Sequence, residues 1–112
     1  MTRDQRKAWM IDEVLPKMKL LFASLDPDHQ NMTCSTCHGP GAEDGSFKMP
    51  NPNLMRLLPD NNFEAHRRTS ATITQFMTDR VSPDMAKLLG EPPYEPSTQK
   101  GFGCGGCHTL AP

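Results

Sequence analysis

A small, mostly α-helical fold with no significant sheet is what this sequence of 112 residues predicts. Three observations lead there. Two stretches, about 11–25 and about 69–89, carry apolar residues at helical spacing. The two stretches resemble each other letter by letter. Each is followed by an irregular connector and then by the short motif C-x-x-C-H. The expectation is one domain, 1–112, built from two helix–connector–C-x-x-C-H modules (about 3–58 and about 62–112) with much irregular loop.

The elements follow in order. Thr2 with Gln5 has the spacing of a capping box. Ile11, Leu15, Met18, Phe22 and Leu25 then mark one face of a helix, with Pro16 inside it either as a kink or in the first turn of a second helix. Asp26-Pro27-Asp28 closes the segment. Residues 39–53, rich in Gly and Pro, read as an irregular loop around the first motif. A short helix is expected from Asn53 to Leu58, stopped by Pro59, and a solvated link or helical turn over 62–68. The second long helix carries Ile73, Met77, Val81 and Met85 at successive i+4 steps. Gly90 suits the left-handed position after its end. Glu91 to Pro96 reads as an extended, proline-stiffened connector.

The repeat is specific. Trp9-Met10-x-Asp12-x-Val14-x-Pro16-x-Met18-x-x-Leu21 recurs as Phe76-Met77-x-Asp79-x-Val81-x-Pro83-x-Met85-x-x-Leu88, an offset of 67. The motifs Cys34-Ser35-Thr36-Cys37-His38 and Cys104-Gly105-Gly106-Cys107-His108 recur at an offset of 70. All 4 cysteines lie in these motifs, and two of the 4 histidines close them. C-x-x-C-H reads as a c-type haem attachment site. Two thiols three positions apart on one turn suit thioethers to the two vinyl groups of one haem. The adjacent histidine supplies the proximal nitrogen to iron. Two haem c groups are therefore expected, held by Cys34, Cys37, Cys104 and Cys107, with His38 and His108 as proximal ligands.

Composition agrees with that expectation. Only 36% of the residues are hydrophobic, so the chain can build only a thin core from its own side chains. Covalently bound haems would complete it, with Ile11, Leu15, Phe22, Ile73, Phe76 and Leu88 packing on them. The formal charge of -1 offers no basic face for nucleic acid. No apolar run approaches a membrane span. The first residues are charged and lack the apolar core of a signal peptide. Since attachment to C-x-x-C-H is expected outside the bacterial cytoplasm, a periplasmic or otherwise exported, processed chain is expected.

A six-coordinate iron needs a distal ligand. Only Thr109 to Pro112 follow the second motif in this sequence, so its ligand is expected from upstream or from another molecule. The repeat offers Met18, 16 residues before Cys34, and Met85, 19 before Cys104. Met10 and Met77 form an equivalent pair about two turns earlier. Met49 or Met55 would serve the first haem in the ordinary single-haem order, and His66 or His29 would make it bis-histidine. Met18 and Met85 are the pair chosen here.

This order of helix, methionine, turn and C-x-x-C-H resembles the tetrahaem cytochrome subunit of photosynthetic reaction centres, on Met18 with Cys34, Cys37 and His38 and on Met85 with Cys104, Cys107 and His108. The resemblance implies His/Met ligation in each module. The chain departs from that family in having two modules instead of four and in the detail of its connectors. The function expected is electron transfer between redox protein partners, without catalysis. Two other classes compete. One is a dihaem enzyme or gas sensor with an open iron, for which His66, Arg67 and Arg68 would be the place to look. The other is a four-cysteine zinc module, which leaves the histidine after each pair unexplained.

Overall fold

Two long helices, each interrupted at the same repeat position, carry the structure. The computed structural model describes residues 2–111; Met1 and Pro112, the two ends of the expected domain, lie outside the described residues. The first helix begins at a complete capping box, in which the Gln5 N–H donates to the Thr2 hydroxyl (3.1 Å) and the Thr2 N–H donates to the Gln5 side-chain oxygen (2.8 Å). It runs as α1 (Arg3–Trp9), a π turn (Met10–Val14) and α2 (Leu15–Leu25). The second runs as α6 (Ala71–Phe76), a π turn (Met77–Val81) and α7 (Ser82–Leu88).

The two π turns have one cause. Pro16 and Pro83 stand two residues after them. A proline ring collides with the carbonyl four residues back and offers no N–H to it. Widening the preceding turn relieves both problems. The Leu15 N–H accordingly reaches the Met10 carbonyl, and the Ser82 N–H the Met77 carbonyl, each five residues back. Pro16 thus sits in the first turn of α2.

The extra residue in each π turn also shifts the register. In a regular helix eight residues span about 2.2 turns and put the ends on different faces. With one residue absorbed by the bulge the separation is about two turns, and Met10 shares a face with Met18, as Met77 does with Met85. The first helix also contributes to a core of protein side chains. Its buried residues are Val14, Met18 and Leu21, while Ile11 is exposed.

Val14, Met18, Leu21 and Met32 form the core cluster, with Phe76, Val81, Met85 and Leu88 of the second helix packed against it. Phe22 meets Phe76 edge to face, ring centroids 5.3 Å apart. The Trp9 indole N–H donates to the Leu88 carbonyl (2.8 Å). The protein's own core is as thin as the composition predicts, and no large described side chain is completely buried.

Three link segments depart from expectation. Residues 53–58 form no helix. The Asn53 N–H is taken by the Asn51 side chain, and Leu57 pairs with the C-terminal segment: its N–H donates to the Thr109 carbonyl and its carbonyl accepts from the Ala111 N–H. Residues 62–68 lie in helix α5 (Asp60–Thr69), which follows α3 (Cys34–His38) and α4 (Gly41–Asp44); its opening residues Asn61, Asn62 and Phe63 are left-handed. The connector after α7 is not extended throughout. It doubles back so that the Tyr94 N–H donates to the Phe102 carbonyl, the Phe102 N–H to the Pro92 carbonyl and the Glu95 N–H to the Lys100 carbonyl. Gly101 makes this turn possible, since it has φ of +95° and a Cβ there would run into the Pro93 carbonyl oxygen. α7 ends as expected, with Gly90 left-handed and the Gly90 and Glu91 N–H groups returning to the Lys87 and Ala86 carbonyls.

Among the described residues there is no named strand, and no helix is long and apolar enough to cross a membrane. The radius of gyration is 14.1 Å, against about 13 Å for a well-filled domain of this length. A large cavity, partly open to solvent, lies between the helices.

Candidate functional site

One cavity of about 1700 Å³ runs between the two long helices and the two C-x-x-C-H turns. Ordinary single-ligand pockets occupy about 300–1,000 Å³. Its lining contains all four cysteines, both motif histidines, and Met10, Met18, Met77 and Met85. Ile11, Leu15, Phe22, Ile73 and Leu88 line it too, which accounts for the exposure of Ile11 and Ile73. Phe76, expected among them, instead packs on Phe22 and the core cluster, outside this lining.

The first motif is the single helical turn α3. The Thr33 N–H donates to the Thr36 hydroxyl at 3.0 Å and holds the turn's start. Gly39, with φ of +60°, turns the chain away directly after His38. The second motif is looser. Cys104–Gly106 is a 3₁₀ turn, and the His108 N–H returns to the Cys104 carbonyl at 2.9 Å. Its two central glycines leave no side chains between the thiols.

The two histidines are prepared differently. His108 Nδ1 lies 2.8 Å from the Met55 carbonyl. A carbonyl can only accept, so Nδ1 carries the proton and the lone pair is on Nε2, the arrangement common to metal-binding histidines. His38 Nδ1 is buried with no hydrogen-bond partner. Burial pushes its basicity below the ordinary histidine value, with the Phe47 backbone opposing slightly. The Phe47 ring meets the His38 ring edge-on at 5.3 Å. Burial thus favours the neutral form of His38, and the Met55 carbonyl leaves Nε2 as the nitrogen His108 can offer to a metal.

The four thiols are half-buried and free. Burial, and then the neighbouring Cys34, raises Cys37. Cys107 is pushed up to about 11 by burial, with Cys37 and Cys104 adding to the rise. Cys37, the last cysteine of the first motif, is thus among the groups that act on the last cysteine of the second. No three His, Cys, Asp or Glu side chains among the described residues converge closely enough to hold a metal ion by themselves. The four thiols do not form the tetrahedral cage that a zinc module needs.

Of the distal candidates, Met18 is almost fully covered by protein (4% exposed), whereas Met10, Met77 and Met85 are half-buried. Met55 is exposed and lies beside the second motif, where its carbonyl holds His108. Met49 lines the cavity. His66 and His29 also line it but have local partners: His66 Nε2 accepts the Leu58 N–H (2.9 Å), and His29 Nδ1 bonds the Phe22 carbonyl (3.1 Å). Arg67 bonds Asn62 and Gln75, and neither it nor Arg68 contributes to the lining.

Sequence reasoning missed Asn51. It is 3% exposed. Its side-chain N–H donates to the Cys37 carbonyl (2.9 Å), and its backbone N–H donates to the Cys107 carbonyl (2.8 Å). The only signal available was its place in a Pro-Asn-Pro-Asn run, which reads as turn and carries no periodicity. No family model, no curated protein and no solved structure matches the chain.

Proposed function

We propose that the chain is an electron-transfer protein carrying two covalently attached c-type haems. The observation that carries this reading is the convergence of both C-x-x-C-H turns on one cavity larger than a single-ligand pocket, with all four repeat-equivalent methionines in its wall. The donor set fits the group: paired thiols on one turn, a histidine directly after them, and thioethers across an apolar gap. A haem supplies one-electron chemistry at its iron.

Each part of the chain then has a role. Cys34 and Cys37 hold one haem, and Cys104 and Cys107 the other. His38 and His108 give their free nitrogens to the irons; the Met55 carbonyl keeps the second imidazole in its tautomer. Met18 and Met85 complete the ligand sets from the helices, which raises the potentials relative to bis-histidine ligation. The apolar side chains exclude water, so that charge on iron is felt strongly and electron exchange needs little solvent rearrangement. Arg3 and Lys7 stand in the lining one turn apart on α1, suitably charged for haem carboxylates. Both irons being closed by protein ligands, the reading is a carrier and not an enzyme, serving redox protein partners in a periplasmic or otherwise exported setting. The likeness in module order to the reaction-centre tetrahaem subunit supports ligand type and order.

The test is expression with a haem-attachment system, followed by pyridine haemochrome and visible spectra. Two haems per chain and low-spin spectra with the band of thioether-ligated ferric iron are expected. Zinc without iron would overturn the reading. Stoichiometric carbon monoxide binding to the reduced protein would replace it with a sensor or enzyme.

A further inference from the structure

Asn51 ties the two attachment turns together. It is buried, its four hydrogen bonds are all to backbone (the fourth from the Leu54 N–H to its own carbonyl), and two of them end on the two motifs. The side-chain N–H donates to Cys37, the backbone N–H donates to Cys107, and the side-chain oxygen accepts the Asn53 N–H (2.9 Å), which fixes the amide's orientation. Gly39 closes on the same amide: a Cβ there would lie 2.9 Å from its nitrogen. The segment that follows Asn51 continues the clamp, since the Met55 carbonyl holds His108 and Leu57 pairs with Thr109 and Ala111.

A side chain at this place does something the repeat does not call for. Each module can present its thiols and histidine without the other. Asn51 sets how the two turns sit against one another, and it does so at the backbone of Cys37 and of Cys107. Their sulfurs are two of the four that would bond the haems to the chain.

We infer that Asn51 is a positioning residue for electron exchange between the two haems, holding the Cys37 and Cys107 attachment points at a fixed mutual orientation. The inference rests on the proposed dihaem function. The step it governs is simple in balance: one ferrous iron is oxidised, the other ferric iron is reduced, and no bond or proton is exchanged. Orientation and separation are what the protein controls, and a strut of two buried hydrogen bonds is stiffer than the proline-rich loop that carries it.

The experiment uses the full holoprotein. Haem content is measured first by pyridine haemochrome, then circular dichroism in the Soret region reads the coupling of the two haem transitions. The wild type is expected to give a two-signed couplet. Asn51→Asp keeps the acceptor for Asn53 but loses the donor to Cys37 and sets a carboxylate against a carbonyl. It is expected to retain two haems with unchanged absorption, while the couplet falls at least twofold and the spacing of the two midpoint potentials changes. An unchanged couplet and spacing in a two-haem variant overturns the strut while leaving the dihaem function standing. A haem-free wild type overturns both. Should the variant fail to load haem, hydrogen exchange on the reduced wild type decides: at least 100-fold protection of the Asn51 backbone N–H supports the strut, and free exchange overturns it.

Discussion

The Trp9 indole N–H donates to the Leu88 carbonyl across 2.8 Å, joining the start of the first long helix to the end of the second. Trp9 is the first letter of the repeat and Leu88 the last, so the bond runs between opposite ends of the two repeat copies. Phe76, which replaces Trp9 in the second copy, has no N–H to offer and packs on Phe22 instead. Trp9→Phe keeps the ring and removes the donor. A net loss of about 1 kcal/mol is expected, lowering the melting temperature by roughly 4–8 °C. Thermal unfolding followed at 222 nm measures it, and an unchanged midpoint would show the bond to be without weight.

The methionine assignment makes separate predictions for each haem. Met18→Ala should convert one haem of the two from low-spin to high-spin and leave the other unaltered, and Met85→Ala should do the same for its partner. Met10→Ala and Met77→Ala serve as controls of similar size on the same faces. Should the spectral loss follow positions 10 and 77 instead, the ligand pair is the earlier one, and the π turns are where the ligands leave the helices.

Gly101 is constrained by both its φ of +95° and the Pro93 carbonyl beside it. Gly101→Ala forces this turn open at a cost of about 1–3 kcal/mol. The turn leads directly into Cys104, so attachment at the second motif should suffer while the first keeps its haem. Mass spectrometry of the expressed variant reads this as a shift from two haems to one; full loading would show that the turn opens without consequence.

Cys107 supplies a test on the haem-free chain. Its thiol is pushed up to about 11, chiefly by burial. The thiolate is the nucleophile, so at pH 8 its alkylation should be slower than that of the urea-unfolded chain by on the order of 100-fold. The rate should rise steadily as the pH is brought toward the thiol's own range. Peptide mapping after iodoacetamide gives the rate at each cysteine. Equal rates in folded and unfolded chains would mean that the second motif is not buried before attachment. In the haem-loaded protein no cysteine should react.

The elements that local chemistry dictates were legible in the letters. The capping box at Thr2, the left-handed Gly90, the mostly helical class and the two module helices all depend on residues within a few positions of one another. Pro16 announced either a kink or the first turn of a second helix, and the second is what forms. The π turn before it, repeated before Pro83, was not legible; it keeps the helix continuous while releasing the carbonyl four residues back. Of the apolar face read for the first helix, Ile11, Leu15, Met18 and Phe22 line the cavity, while Val14 and Leu21 join Met18 in the protein's own core.

What the sequence determined by itself is the repeat, its two helices and the pairing of thiols and histidine in each motif, because each of these is a spacing along the chain. Which segments meet was decided only in three dimensions. Asn51 reaches both motifs, the Met55 carbonyl meets His108, and Leu57 pairs with residues 109–111. Most of these bonds join irregular segments about 50 residues apart, and each has a backbone group on at least one side, so no local side-chain pattern encodes them. They form because a loop with no helix or strand of its own must find partners for its N–H and C=O groups, and the other C-x-x-C-H turn is where they were found.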